Sequence, residues 1–232
     1  MTEDYELQEA RRIEKNLAYS SRGVKFIDIK AAYIDDGVKI GKGTVIYPCV
    51  VIEGNTEIGE DCMIGQNTRI VDSTVGDRTQ IQSSVILKSR VGDDTNVGPF
   101  AYMRPDSSVG SRCKLGDFVE IKNSSMGDGS KASHLSYIGD SDVGKNVNIG
   151  CGVVFVNYDG SEKHRSVVGD GAFIGCNANL VSPIEIKEKA YIAAGSTVTS
   201  DVPGGSLYVE RTKAKILEGW VKRRGLLDKK KK

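Results

Sequence analysis

The chain is short of several things that would have set its class. Across 232 residues there are 5 Pro, 2 His and 1 Trp. Nowhere do about 18 apolar residues run together, so no helix is expected to cross a membrane. The first residues are polar and lack the apolar core of a secretory signal. Five cysteines, Cys49, Cys62, Cys113, Cys151 and Cys176, are odd in number, widely spaced and free of any C-x-x-C. They indicate neither a disulfide framework nor a zinc knuckle, and a reduced, cytoplasmic protein is expected. There is little charge of either sign to spare: 32 basic against 31 acidic residues leave +1. No global field draws the chain to nucleic acid or membrane. The local exception is the basic tail of Lys222, Arg223, Arg224 and Lys229 to Lys232, which suits an anionic ligand or simple solvation.

What is present is glycine, 27 of it, and a period of six. Written in sixes the chain aligns as Ile40-Gly-Lys-Gly-Thr-Val, Ile46-Tyr-Pro-Cys-Val-Val, Ile52-Glu-Gly-Asn-Thr-Glu, Ile58-Gly-Glu-Asp-Cys-Met and Ile64-Gly-Gln-Asn-Thr-Arg. The register returns at Val91, Val97, Met103, Val109, Leu115 and Ile121, at Val143 and Ile149, and from Val168 through Val198. An aliphatic residue opens each unit and fits a narrow interior, while Gly, Asp or Asn permits a sharp corner. Three short faces per coil make a triangular prism whose equivalent positions stack about 4.8 Å apart, giving roughly nine coils and about 40 Å of rod. The expected class is all-β, a parallel β-helix of hexapeptide repeats. A sandwich of short strands would instead show period two with turns every 8 to 12 residues.

Five-residue units at Ile70–Thr74 and Ile121–Ser125 still close a coil. A larger break, about residues 155–167, reads as a loop inserted into the rod, where binding groups concentrate. Residues 1–22 are expected to form a helix capping the first coil, with Leu7, Ala10, Ile13 and Leu17 on one face. The coils are expected to occupy residues 23–203. Residues 204–232 then read as a strand near Ser206–Glu210, a helix near Lys213–Lys222, and the basic tail.

Certain segments are far more specific than the period: Gly98-Pro-Phe-Ala-Tyr-Met-Arg-Pro105, Gly116-Asp-Phe-Val-Glu-Ile-Lys122, Gly129-Ser-Lys-Ala-Ser-His-Leu-Ser-Tyr-Ile-Gly139, Asn146-Val-Asn-Ile-Gly150, Asn157-Tyr-Asp-Gly160 and Ile192-Ala-Ala-Gly-Ser-Thr-Val. Over Gly23 to Trp220 the sequence resembles the acetyltransferase half of the bifunctional bacterial enzyme that makes UDP-N-acetylglucosamine from glucosamine 1-phosphate. The resemblance implies a left-handed coil, although parallel crossovers are ordinarily right-handed. It implies acetyl-coenzyme A as co-substrate, no metal for the transfer, an amino sugar phosphate as acceptor, and a homotrimer with sites between neighbouring rods. The Gly-rich, Arg-containing phosphate loop of the family's nucleotidyltransferase half does not precede Gly23, so no uridyltransferase activity is expected, and a separate uridyltransferase is a candidate partner.

The transfer needs a neutral amine and a base beside it. His134 matches the family's catalytic histidine, with an imidazole pKa suited to that proton. Glu120 matches a nearby acid that would orient or strengthen it. Arg104 and Lys122, with Lys163 from the inserted loop, match the phosphate-binding cations. Tyr137 and Asn148 match residues hydrogen-bonding the sugar. Asn157 and Tyr158 match positions meeting substrate and acetyl group, and Ala194 and Arg211 match co-substrate contacts. Cys151 and Cys176 stand where the family commonly has Ala and Ser; both are small enough to preserve a groove. His164 matches no role and reads as a surface residue. Two rival readings are a zinc enzyme of the γ-carbonic anhydrase kind, which needs three histidines where only His134 and His164 exist, and a non-catalytic assembly module, against which the near-complete set of matched polar residues argues. A different amino sugar phosphate or sugar nucleotide is the alternative acceptor.

Overall fold

The structure, a computed structural model, describes residues 2–225, with side chains from residue 4 onward. Lys229 to Lys232, most of the basic tail, lie outside the described residues. The chain winds through three parallel sheets of eleven, ten and nine strands, visiting face one, face two and face three in turn. The result is a parallel β-solenoid of about ten coils.

The first residue of each six points inward, as the short strands alternate their side chains. On face one, Ile46, Ile64, Ile81, Val97 and Leu115 stack in register and are all but fully buried. On face two, Ile52, Ile70, Ile86, Met103 and Ile121 do the same. The small fifth residues are buried as well, and most of their hydroxyls are paired, that of Thr68 excepted: Thr44 Oγ1 donates to the Gly59 carbonyl at 2.8 Å and accepts from the Cys62 amide at 3.0 Å. A buried hydroxyl left unpaired would cost more than it contributes. The corners hold the left-handed geometry that the bend demands, with Asp61, Asn67, Asp94 and Asn146 at φ between 52° and 58°.

The irregularities gather at one corner. Of the five-residue steps between buried positions, those from Ile70, Ile86, Ile121 and Ile138 pass from face two to face three; only that from Ile81 does not. The insertion leaves at the same corner. It is narrower than the sequence indicates: Phe155 is fully buried within the strand Val154–Val156, and Val167 lies in the strand Ser166–Val168. The excursion is thus residues 157–165, because Phe155 fills the apolar position that the repeat calls for.

Both ends also correct the sequence reading. Helix α1 (Thr2–Ser21) packs on the first coil, but Leu7 and Leu17 are exposed. The packed face is polar: Asn16 Nδ2 donates to the Ile29 and Ala32 carbonyls at 2.8 and 3.0 Å, Tyr19 Oη to Val38 at 2.6 Å, and Lys15 Nζ to Ile34 at 3.0 Å. Carbonyls at the end of a solenoid have no following coil, so donors serve better there than an apolar stripe. At the other end the strand is only Leu207–Tyr208, and helix α2 is one turn, Trp220–Arg223, instead of Lys213–Lys222. Gly219 adopts φ 68°, which interrupts the helix, and Ile216, Leu217 and Trp220 are exposed, so no packed face supports a longer one. Among the described residues no helix is long and apolar enough to cross a membrane.

Candidate active site

The residues singled out by sequence fall into two clusters on different faces of the prism. On face two, the strands Tyr102–Met103, Glu120–Lys122 and Tyr137–Gly139 lie side by side. Alternation turns Met103, Ile121 and Ile138 inward and leaves Glu120, Lys122 and Tyr137 outward. Arg104 stacks beside Lys122 because its amide continues the same ladder, donating to the Ile121 carbonyl at 2.8 Å. Its guanidinium pairs with Glu120 at 3.0 Å. Lys122 Nζ donates to both oxygens of Asp140, at 3.0 and 2.9 Å. Burial works against the Lys122 ammonium, yet its bond to Asp140 keeps the pKa above the ordinary lysine value. Lys163, from the inserted loop, lies against Lys122 and is pushed below its ordinary value by that second ammonium. Three cations therefore face two carboxylates, Glu120 and Asp140, and one positive charge is left for an incoming anion.

Asn157 is buried beside this group, its Nδ2 donating to Asp140 Oδ2 and, at 3.4 Å, to Tyr137 Oη. Tyr158 is exposed, bridges antiparallel to Lys163 and donates to the Gly160 carbonyl at 2.7 Å. His164, at the surface of the loop, bonds Asp159 through Nε2 at 2.7 Å. The Asp159 carboxyl is held far below the usual range, first by the Glu162 amide and then by His164.

The second cluster lies on face one and runs along the corner toward face two. His134 ends the strand Lys131–His134 and stacks in register on Asp117. Its Nδ1 lies 2.6 Å from Asp117 Oδ1. An ionised carboxylate only accepts, so in the neutral imidazole the proton sits on Nδ1 and the Nε2 lone pair is left free. The imidazole bond is also the main reason the Asp117 carboxyl is held below its ordinary value. The acid on His134 is thus Asp117, whereas Glu120 faces the other way, spent on Arg104.

Above His134 the column loses its bulk. The Gly152 amide bonds the Leu135 carbonyl, the Asn177 amide bonds Cys151, and the Gly195 amide bonds Cys176. Ala132, Ile149, Ile174 and Ile192 are ladder partners, and counting two residues on from each puts His134, Cys151, Cys176 and Ala194 at corresponding positions on four successive coils, a trough about 14 Å long at strand spacing. Its far part opens into a groove of about 470 Å³ lined by Phe173, Cys176, Tyr191, Ala194, Leu207 and Arg211. Phe173 and Tyr191 stack at 4.4 Å along its wall, and Asn148 lies one coil below Phe173 in the same row. Beside His134, the corner carries Phe100, Phe118 and Leu135, exposed by 58%, 56% and 57%. All three have positive φ, and the two rings stack at 5.6 Å.

Sequence reasoning missed two acids. Asp117 lies 17 residues before His134, one coil of this repeat, so counting coils would have found it. Asp140 occupies a corner, where Asp is an ordinary turn residue, and nothing local marks it.

Residues 37–72 match the family described as Bacterial transferase hexapeptide (six repeats). The bifunctional protein GlmU of Clostridium beijerinckii is 54% identical over 224 residues, covering 95% of this chain and 49% of that protein. GlmU of Clostridioides difficile is 54% identical over 221 residues, covering 95% and 48%. Among solved structures, LpxA of Bacteroides fragilis, a UDP-N-acetylglucosamine acyltransferase, aligns at TM-score 0.46 and 19% identity over 76% of this chain and 69% of its own. The chain spans about half the length of the curated relatives it matches. The six-residue repeat that the family model matches over residues 37–72 is the one stacked coil on coil, and the chain is similar almost end to end to about half of GlmU.

Proposed function

We propose that the protein transfers an acetyl group from acetyl-coenzyme A to the amine of glucosamine 1-phosphate, a step in the synthesis of cell-wall amino-sugar nucleotides. The observation that carries this reading is the Asp117-braced imidazole of His134 at the mouth of a trough of small residues. An amine attacks a thioester only through its lone pair, so a base must remove a proton as the carbon–nitrogen bond forms. His134 Nε2 is free to take it, and Asp117 stabilises the imidazolium that results. The electron pair of the breaking carbon–sulfur bond leaves on the coenzyme thiolate, to which the proton can return. Cys151, Cys176 and Ala194 offer little bulk against the thioester arm, with Arg211 at the far end for its phosphates.

The phosphate of the acceptor suits the face-two group, where Arg104, Lys122 and Lys163 converge with one uncompensated charge. Tyr137 and Asn148 are assigned to the sugar, and Asn157 and Tyr158 to the region where sugar and acetyl group meet. Base and cations look out from different faces of one prism. A single small acceptor reaches both when face one of one copy meets face two of the next, which favours a homotrimer with sites between rods. The exposed ridge of Phe100, Phe118 and Leu135, beside His134, is apolar surface that such a contact would cover.

The test is release of coenzyme thiol by purified protein supplied with acetyl-coenzyme A and a panel of amino sugars. Release with glucosamine 1-phosphate, and little with glucosamine lacking the phosphate, is expected. No release with the phosphorylated sugar rejects the reading.

A further inference from the structure

The geometry points to Asp140 as the residue that positions the anion-binding face, mooring both the Lys122 ammonium and the inserted loop to the rod. Asp140 is a carboxylate with 8% of its side chain exposed, at a corner with φ 48°. Buried carboxylates persist when donors surround them. Here Lys122 and Asn123 donate to Oδ1 at 3.0 and 2.6 Å, and Lys122 at 2.9 Å and Asn157 to Oδ2. Burial opposes ionisation, and these donors more than offset it, holding the carboxyl below its ordinary value.

The backbone of the same residue completes the mooring. The Asp140 carbonyl accepts from the Ser166 amide at 3.1 Å, just beyond the loop, while its side chain holds Asn157 at the loop's start. The loop's base is then closed by the His164 amide donating to the Asn157 carbonyl at 2.8 Å. Both ends of the segment bearing Tyr158 and Lys163 are thereby tied to one residue. The adjacent Gly139 keeps the space open: a Cβ there would collide with Tyr137 Oη and come within 2.8 Å of Asn157 Nδ2. A lysine ammonium carries three donors; with Asp140 engaging it from below, the remaining capacity is directed outward, beside Lys163, toward an arriving anion. Asp140 touches no reacting atom and acts through Lys122, Asn157 and the loop.

The functional half of this inference rests on the acceptor phosphate proposed above; the mooring does not. The experiment compares wild type with Asp140→Asn and Asn157→Ala, the second severing the loop from Asp140 without removing a charge. Limited trypsin digestion is followed at Lys163 and Arg165, together with the melting temperature and the KM for each substrate. Bonds to a charged group are worth enough that cleavage in the loop is expected to quicken about tenfold or more in both variants. The acceptor KM is expected to rise by a similar factor while the acetyl-coenzyme A KM moves little. The sign is diagnostic. If Asp140 only diluted the positive charge, Asp140→Asn would lower the acceptor KM; if it served only folding, lost active protein would lower kcat and leave KM unmoved. Either result, or wild-type loop cleavage in both variants, overturns the proposal. If no protein transfers acetyl to glucosamine 1-phosphate, the proposed reaction fails and the cleavage rates still decide the mooring.

Discussion

Faces one and two carry opposite kinds of chemistry on the same scaffold. Face two is crowded and internally paired: each of Arg104 and Lys122 has a carboxylate, and Asp140 is buried under four donor contacts. Face one is sparse, with one half-exposed imidazole, one acid and then a column emptied to Cys, Cys and Ala. A repeat that treats every coil alike thus supports a rigid charged patch and an open trough, because inward residues build the rod and outward residues are free to differ. Removing a group from face two leaves a buried partner unpaired; removing His134 from face one leaves a partner, Asp117, that water can reach.

The largest effect expected from that contrast is His134→Ala. Thiol release should fall on the order of a thousandfold, the range for a lost general base, with the melting temperature nearly unchanged because the ring is half-exposed and its one partner, Asp117, can turn to water. Release near the wild-type rate would remove His134 from the chemistry. Lys163→Ala should raise the acceptor KM about tenfold, more at low ionic strength than at high, with kcat altered far less. An unchanged KM would detach the loop from the phosphate. Mixing inactive His134→Ala and Lys122→Ala proteins under subunit exchange should restore about a quarter of wild-type activity, since that share of interfaces pairs an intact face one with an intact face two. No recovery, with exchange verified by mass, would put the whole site within one chain.

A smaller effect is electrostatic. Because the His134 bond lowers the Asp117 pKa, the pair's contribution is present above the unfolded carboxyl value of about 3.9 and is lost as pH falls through the lower folded value. The Asp117 carboxyl, followed by carbon NMR, should titrate below that range in the wild type and move back up in His134→Ala. The smallest effect is at Cys176, where Ala should leave turnover within about twofold, a size change the trough tolerates.

Much of this was readable from residue order, and the failures have physical causes. The six-residue period exposes the core because each coil repeats one steric problem. It also conceals: Phe155 reads as loop beside Asn157 although it occupies a core position, since one aromatic among polar residues does not announce a register. Helix α1 was expected to bury Leu7 and Leu17, yet the surface it meets is a row of carbonyls that selects Asn16 and Tyr19. The trough of Cys151, Cys176 and Ala194 was legible as small residues, but its alignment on His134 emerges only when coils are stacked. Asp140 gave no sign, because a turn-forming aspartate and a buried clamp look alike until the loop closes over it.

The cap of α1 has a further consequence for how the rod behaves toward its own kind. A parallel solenoid ends in an unpaired strand, and such an edge is a template for another chain. Here the carbonyls of Ile29, Ala32, Ile34 and Val38 are already taken by side chains that offer no edge in return. The helix therefore works as a terminator of growth: strip it away, and rods should add end to end into fibres.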